Sequence, residues 1–483
     1  MTTGESSDAP SQRRDDSSML ANFVFGHAAM LVVFTSWAFG GQAPWARQVI
    51  AVWGIPGALL FVLACRSARV PGGERRHPAV RWLWPLLAYD LLVGLSGLNP
   101  SFIELRQADQ GSLIMTQPLA WLPSSARPWL TWRELWQFNV FVLACFNFFL
   151  VAKTRRLLRR MLFVMGANAV GLAVLGTFQK LSGANALWLG AVPSPNPKFF
   201  STFIYHNHWG AFTVLNLAVC LGLLFHFLRR RDQRDFWHSP VPFGCLAILL
   251  LAATVPLSAS RSCTVLAGLL LAAAVVHALF RLVRDRRAAR KPVAWPVAGI
   301  VAAVFLAVAA VYYVGQEVIA QRAALTSEQL ASIAREDTLN SRLALYRDTW
   351  RMAAEKPWFG WGLESYAHVF RIFNTQRAAE TWVWIPFYAE AHNDWLQSLA
   401  EVGFVGTGLL ALLVLLPTVA VRWRRVDSIL PRYLLAGVGI VLLYAWVEFP
   451  FANPAVMLTC WLTFYCAIRY ATLSEATAPD ASK

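Results

Sequence analysis

Long apolar runs, separated by polar stretches, make up most of the chain. The runs are about 17–25 residues long, the length at which an α-helix crosses a bilayer. We place about twelve such helices at residues 20–40, 48–65, 81–98, 135–152, 161–180, 206–228, 241–259, 263–281, 293–315, 393–421, 431–449 and 454–471. This pattern predicts an all-α, polytopic integral membrane protein, with helices 1–9 in residues 20–315 and helices 10–12 in residues 392–471.

The charge of the polar stretches predicts the topology. Basic residues are concentrated after every second predicted helix, at 66–81, 153–160, 229–234, 281–291 and 422–425. Lys and Arg are enriched in the cytoplasmic loops of membrane proteins. We therefore expect both termini in the cytoplasm, with residues 1–19 as a disordered tail and residues 472–483 as a second tail.

The largest polar segment, residues 316–391, is expected on the opposite side as a large extracytoplasmic loop between helices 9 and 10. Within it, apolar side chains recur at helical spacing: Leu339, Leu343, Tyr346 and Trp350. We expect this amphipathic helix to lie along the membrane with its aromatic side inward.

The composition agrees with a membrane protein and excludes other classes. Hydrophobic residues make up 57% of the chain and charged residues only 14%, whereas soluble domains have roughly 45–50% and 25%. The net charge of +16 arises from short loop clusters, which argues against nucleic-acid binding. The cysteines lie in or near apolar runs, so we expect them to pack between helices rather than form a disulfide framework.

Polar groups that could carry chemistry lie in four clusters at predicted outer helix ends. The clusters are His206-Asn207-His208, Ser258-Ala259-Ser260-Arg261-Ser262, Ser341-Arg342 with Tyr346-Arg347, and His392-Asn393-Asp394. Arg261 lies in a tight turn between two strongly apolar helices, where a charge is costly and indicates function. Arginine suits bidentate phosphate contacts, and the alternative is an arginine that contacts lipid headgroups.

His392 lies where the largest polar segment meets an apolar run. Its imidazole could act as a general base, or it could only cap a helix. Gly403 follows eleven residues later, about three helical turns, which predicts that the two residues share one helical face. Gly403 and Gly406 would then permit close helix approach. His206 and His208 could join His392 at a metal, but carboxylates such as Asp394 and Glu364 are few, so we expect no metal and no other cofactor.

Several of these stretches together resemble the O-antigen ligase superfamily. The residues that carry the resemblance are His392-Asn393 followed after nine residues by Gly403-Phe404-Val405-Gly406-Thr407, Ser341-Arg342-Leu343 through Tyr346-Arg347-Asp348, Pro357 to Gly362, Ser260-Arg261-Ser262, Thr202-Phe203 with His206-Asn207-His208, and Glu448-Phe449-Pro450 with Pro454-Ala455. The likeness runs from about 200 to 455. It departs at His206, where family members often carry arginine.

The resemblance implies glycan transfer on the periplasmic face of the bacterial inner membrane. The donor would be a glycan linked to undecaprenyl diphosphate, and the acceptor a hydroxyl group of lipid A-core, of another glycan or of a protein. The resemblance also implies a metal-independent reaction that inverts the anomeric centre. Ligases, polymerases and protein O-oligosaccharyltransferases share these motifs, and lipid A-core is the acceptor we favour.

With that chemistry, we assign His392 as the base and Arg261 and Arg342 as contacts to the diphosphate. Substrate binding is assigned to a second set of residues: Arg347, His206, Asn207, His208 and Asn393. A transporter for lipid-linked glycans is the alternative from another class. It would need charged residues along a path through mid-membrane, where, apart from Asp90, the predicted helices carry few. A purely structural scaffold would leave the outer Arg and His residues unexplained.

Overall fold

Helices form nearly all of the regular structure in the computed structural model, which describes residues 9–67, 78–107, 110–229, 239–306, 308, 309, 313, 337–375 and 387–473. The helices described are α1 (Ala9–Trp37), α2 (Pro44–Ser67), α3 (Trp84–Leu98), α4 (Pro128–Val151), α5 (Arg155–Leu181), α6 (His206–Arg229), α7 (Val241–Ser258), α8 (Arg261–Ala288), α9 (Ala294–Leu306), α10 (Asp337–Glu355), α11 (Tyr366–Phe373), α12 (Asp394–Ala420), α13 (Leu430–Tyr444) and α14 (Pro454–Thr472). The strands β1 (Phe102–Gln107) and β2 (Gln110–Met115) pair antiparallel. This small hairpin lies in a polar stretch for which the apolar pattern predicted no element.

Eight of the described helices are long and apolar enough to cross a membrane, namely α1 from Met19 onward, α2, α4, α5, α6, α7, α8 and α12. The prediction of a polytopic, all-α membrane protein is confirmed. The remaining four predicted segments coincide with α3, α9, α13 and α14. The count of twelve membrane spans stays a prediction.

The core of the bundle is built around α6. Its side chains are buried on every face, including Trp209 and Phe212, which is the pattern of a helix surrounded by other helices. The core continues through packed aromatic rings on α4 and α14, such as Phe146 and Tyr465, which meet edge-on with centroids 5.5 Å apart. These helices position the loops at both ends of the bundle.

Residues of two predicted basic clusters meet next to a third cluster at one end of the bundle. Arg155, at the start of α5, pairs with Asp427 at 2.9 Å. Arg229, at the end of α6, donates to the Asp427 carbonyl oxygen. From that end, α12 runs back to Asp394 over 27 residues, roughly 40 Å of helix. His392 therefore lies at the opposite end from the basic clusters.

A break in α12 is filled by another segment of the chain. Gly403 has φ +65° and ψ −173°, which is not helical. Residues 357–362 pack into the break, and four backbone hydrogen bonds, written donor first, join the two segments: Trp361 to Ala400 (3.0 Å), Gly362 to Glu401 (2.8 Å), Phe404 to Pro357 (2.8 Å) and Val405 to Trp358 (3.1 Å). The loop after α10 is thus fixed to the amino-terminal half of α12.

Two helix ends differ from the ends of the apolar runs. Helix α1 begins at Ala9, but its membrane-spanning part begins at Met19, close to the predicted start near residue 20, because hydropathy marks the apolar part of a helix and not its first turn; residues 1–8 of the predicted tail lie outside the described residues. Helix α13 ends at Tyr444 rather than at 449. The apolar run continues past it, but the Ala445 carbonyl accepts a hydrogen bond from the Asp394 amide at 2.9 Å.

Helix α10 lies within the 316–391 segment, and the face that it buries against the protein does not contain Leu343 or Trp350. Leu345 and Met352 are buried, whereas Leu343 is 63% and Trp350 52% exposed. The buried face also holds the polar residue Thr349, which donates to the Leu345 carbonyl at 2.7 Å, so an apolar stripe alone could not identify it.

Candidate functional site

The turn after α13 carries a buried carboxylate that joins two of the predicted clusters. Glu448 is 4% exposed. Its Oε1 lies 3.3 Å from Nη2 of Arg342, and its Oε2 lies 3.4 Å from Nδ1 of His392. A buried carboxylate is costly unless it is paired, and Arg342 supplies the opposite charge. The contact brings α10, the start of α12 and the end of α13 to one point.

His392 is held in a fixed backbone conformation directly before α12. Its φ of +52° lies in the left-handed region, which residues other than glycine rarely adopt. Its carbonyl oxygen accepts a hydrogen bond from the Tyr346 hydroxyl at 2.9 Å. The prediction that His392 and Gly403 share one helical face is wrong, because His392 precedes the helix and Gly403 interrupts it.

Phe449 packs against rings from two other clusters. Its ring meets that of His392 edge-on, with centroids 4.7 Å apart. It stacks on Tyr205 at 5.4 Å and contacts the edge of His208 at 5.2 Å. Its carbonyl oxygen also lies 3.2 Å from Nε2 of His208. Phe449 thereby connects the start of α6 with the imidazole of His392.

A chain of hydrogen bonds extends this group to the turn between α7 and α8. Asn207 donates from Nδ2 to the Tyr205 hydroxyl at 2.8 Å. Ser260 donates from Oγ to Oδ1 of Asn207 at 2.6 Å. Arg261 follows Ser260 and begins α8. All four predicted clusters therefore contribute to one group of contacts centred on Glu448 and Phe449.

Arg261 is exposed at the first position of α8. The amino end of a helix carries a partial positive charge, so a cationic side chain there is unfavourable by itself. The same partial charge and the free backbone amides favour a bound anion, typically phosphate. The arrangement suits a negatively charged substrate group at this end of the bundle.

Two tyrosines of the site stay neutral near neutral pH. Burial raises the pKa of the Tyr205 hydroxyl, and the negative charge of Glu448 raises it further. Burial also raises the pKa of Tyr346, an effect that Arg342 partly opposes. Both phenols therefore keep their protons: Tyr346 donates to the His392 carbonyl oxygen, and the Tyr205 oxygen accepts from Asn207.

Comparison with known families matches a segment that contains part of this site. Residues 246–411 match the family model described as O-antigen ligase. This segment belongs to the O-antigen ligase superfamily. No curated protein and no solved structure matches the chain at a significant level.

The O-antigen ligase segment contains only part of the site. Arg261, Arg342 and His392 lie inside residues 246–411, while His206 to His208 and the pair Glu448 and Phe449 lie outside it. The contacts described above join these outlying residues to the O-antigen ligase segment.

Two of the predicted substrate-binding residues have other contacts. Arg347 is exposed, with Nη2 3.3 Å from Thr375 Oγ1 and Nε 3.7 Å from Oδ1 of Asp348. Asn393 is buried and caps α12, with its Oδ1 accepting from the Leu396 amide at 3.0 Å. These contacts hold the two side chains against neighbouring residues of the protein. A substrate role for either residue stays a prediction.

The two histidines and the asparagine at the start of α6 differ in exposure. His208 is 2% exposed and contacts the Phe449 carbonyl oxygen, and its substrate-binding role stays a prediction. His206 is half-buried, and its ring meets that of Tyr205 at 4.8 Å. Asn207 bridges Tyr205 and Ser260. His206 is therefore the residue of this cluster best placed to meet a substrate.

Sequence reasoning did not select Glu448, Phe449 or Tyr205 as site residues. A signal was present, since Glu448-Phe449-Pro450 was among the stretches that resemble the O-antigen ligase superfamily. Its carboxylate was assigned to the end of a membrane helix, which hid its role. Among the described residues, no group of three or more His, Cys, Asp or Glu is arranged to hold a metal ion; metal independence stays a prediction.

Proposed function

We propose that this O-antigen ligase-type membrane enzyme transfers a glycan from a polyprenyl diphosphate carrier to an acceptor hydroxyl. The observation that carries the proposal is the position of Glu448 between His392 and Arg342, at 3.4 and 3.3 Å. This places a base and a cation side by side, which is what transfer from a diphosphate requires.

His392 acts as the general base. Glu448 contacts Nδ1, which orients the ring and stabilises the imidazolium that forms, and Nε2 takes the proton of the acceptor hydroxyl. The acceptor oxygen forms a bond to the anomeric carbon as the bond from that carbon to the diphosphate oxygen breaks. The products are the glycosylated acceptor and the polyprenyl diphosphate, and attack opposite the leaving group inverts the anomeric centre.

Arginines stabilise the leaving group. Negative charge grows on the diphosphate oxygen as the glycosidic bond breaks, and fixed cations near it lower the barrier. Arg261 at the amino end of α8 and Arg342 on α10 fill this role, with His206 as a further contact. Such a site needs no metal ion to neutralise the diphosphate.

Helix α10 forms part of a cover over the site. Tyr346 contacts the His392 backbone and Arg342 contacts Glu448, while the segment after α10 is fixed into the break of α12. We infer that this cover limits the access of water, which would otherwise hydrolyse the donor.

We place the site on the periplasmic face of the bacterial inner membrane. The support is the separation of charge: Arg155 and Arg229 meet Asp427 at the end of the bundle away from His392. Cytoplasmic loops are enriched in such basic residues. Both termini would then be cytoplasmic, and a donor anchored in the bilayer would reach the site from the outer leaflet.

The test replaces His392 with alanine and measures transfer from a lipid-linked glycan in membranes at matched expression. We expect at least a hundredfold loss, on the order of a general base. His277→Ala is the matched control, since His277 contacts Tyr433 on the opposite half of the bundle at 2.8 Å. Wild-type turnover in His392→Ala would reject the assignment of the base.

A deletion strain identifies the acceptor, for which we favour lipid A-core. Loss of polysaccharide from lipid A-core with intact lipid-linked polymer would establish a ligase. Accumulation of single lipid-linked repeat units would establish a polymerase, and loss of protein glycans alone a protein O-oligosaccharyltransferase.

A further inference from the structure

A cavity of about 410 Å³ lies beside the candidate site, on the other side of Asp394. Asp394 lines it, while its Oδ2 accepts from the Phe451 amide at 3.0 Å. His392, Glu448 and Arg261 are not among the lining residues. The cavity is therefore a separate space, and the mechanism proposed above does not use it.

The lining of this cavity is amphipathic. One part is apolar, formed by side chains of α4, α12 and α14 such as Phe141, Leu410, Val414, Met457 and Trp461. The other part is polar and contains Arg47, Glu134, Gln137, Glu364, Glu390 and Glu401. A ligand that fills both parts has an apolar chain and a polar head.

Gln137 indicates which hydrogen-bonding group the polar head of the ligand needs. It lines the cavity and is 5% exposed. Its Nε2 has no hydrogen-bond partner among the described residues. A buried donor without a partner is costly, on the order of 1–3 kcal/mol, and a ligand oxygen that accepts from this amide would remove that cost.

The carboxyl groups exclude a phosphate as the source of that oxygen. Glu364, Glu390 and Glu401 share the polar end with one arginine, and Arg47 already pairs with Glu134 at 2.6 Å. Burial and neighbouring carboxylates raise the pKa of Glu390 to about 8 and that of Glu364 to about 7. Carboxyl groups that hold a proton part of the time both donate and accept hydrogen bonds.

A cationic head fits less well than a neutral one. An ammonium group donates hydrogen bonds but cannot accept one from Gln137. Hydroxyl groups do both: they accept from the amide of Gln137 and donate to the oxygens of Glu390 and Glu401. Several hydroxyls on one head would satisfy the amide and the carboxyl groups at once.

We propose that this cavity binds an amphiphile with a neutral, polyhydroxylated head, such as the sugar of a glycolipid, and an apolar chain. The head lies between Gln137 and the carboxyl groups, and the chain lies along α12 and α14. The site is distinct from the diphosphate site and does not rest on the proposed function.

The experiment uses the full chain in phosphatidylcholine nanodiscs, without donor. The probe is an alkyl glucoside with a photoreactive diazirine in its chain, and mass spectrometry locates the label. We expect the label on the middle of α12 and on α14, at Leu410 to Val414 and Met457 to Trp461. Unlabelled alkyl glucoside should compete, whereas the alkyl phosphate and the alkane of equal chain length should compete at least tenfold more weakly.

Two variants test the head and the chain separately. Gln137→Leu should raise the half-saturating glucoside concentration by about tenfold, as expected for a lost hydrogen bond, and Ala411→Phe should block the chain and abolish specific labelling. Gln179→Leu is the matched control, because Gln179 is 1% exposed, also lacks amide partners among the described residues, and does not line the cavity.

Three results would overturn the proposal, and the first two need only the wild-type chain. They are equal competition by alkyl phosphate or alkane, labelling elsewhere on the protein, and unchanged glucoside binding in a folded Gln137→Leu variant. Because no transfer is measured, failure here leaves the roles of His392 and Arg261 untouched.

Discussion

The backbone of Gly403 packs directly against the carbonyl group of Trp358. A Cβ built on Gly403 would overlap that carbonyl group. Gly360 mirrors the contact, since a Cβ there would overlap the carbonyl group of Glu401. These two glycines let the loop after α10 enter the break in α12, and the loop in turn sets the position of the cover over His392.

Gly403→Ala is expected to separate the loop from α12. The added methyl would clash with the Trp358 carbonyl, and the φ of +65° with ψ of −173°, a backbone region essentially restricted to glycine, costs an alanine roughly 1–3 kcal/mol. We predict a lower unfolding temperature in nanodiscs and a loss of transfer at matched expression. Thermal unfolding followed by tryptophan fluorescence measures the first effect.

Gly408→Ala is the matched control on the same helix. Nothing lies within 4 Å of a Cβ at Gly408, and alanine is favoured over glycine inside a helix by about 1 kcal/mol. We expect equal or higher stability and normal transfer. Equal behaviour of the two variants would show that the break at Gly403 is not needed for the fold.

The helices could be predicted from the sequence because hydropathy reports how residues partition into an apolar environment. Its limits are visible at α1 and α13, whose ends depend on backbone geometry rather than on apolarity. The break at Gly403 was not predicted either. A glycine that allows helix contact and one that allows a positive φ look the same in a single sequence, and only the contact with Trp358 distinguishes them.

Several residues of the candidate site could be predicted from the sequence, but Glu448 and Phe449 at its centre could not. His392, Arg261 and Arg342 are polar groups at helix ends, where apolar surroundings make them conspicuous. Glu448 was hidden because the run 445–449 reads as helix until Pro450. The hydrogen-bond network through Asn207 and Tyr205 depends on how α6 packs against α8 and α13, which no spacing within one segment encodes.

Glu448→Gln tests the role of the shared carboxylate. The amide keeps the shape but loses the charge that faces Arg342 and stabilises a protonated His392. We expect kcat to fall by about a hundredfold with a smaller change in the KM for the donor, and Glu448→Asp to restore part of the rate. Steady-state transfer in nanodiscs measures both constants.

Asp427→Asn is the control for removing a paired carboxylate, because Asp427 pairs with Arg155 at the far end of the bundle. It should leave transfer near the wild-type rate. If Glu448→Gln retains the wild-type kcat, Glu448 does not position the base.

Arg261→Ala tests the leaving-group contact. Loss of one fixed donor to a developing negative charge costs on the order of 10²–10³ in rate, and we expect a loss in that range. Arg261→Lys should recover only part of it, since lysine lacks the planar, two-pronged geometry of arginine. Arg281→Ala, near the other end of the same helix α8, is the matched control and should retain the rate. A loss of equal size in both alanine variants would point to an effect on folding.

Glu390→Gln tests the electrostatics of the second cavity through stability. Burial, with help from Glu364, raises the pKa of Glu390 from its ordinary value of 4.5 to about 8. Between these values the folded state holds a proton that the unfolded state has lost, so the free energy of unfolding falls as the pH rises from about 4.5 through about 8. The substituted amide would carry no charge at any pH and could keep the contact with Gln397, which now donates to Glu390 at 2.7 Å. We therefore expect unfolding temperatures equal to wild type near pH 4 and higher than wild type near pH 9.

Glu355→Gln, at the exposed end of α10, is the control and should follow the wild-type curve. Parallel curves for Glu390→Gln and wild type would show that Glu390 ionises normally.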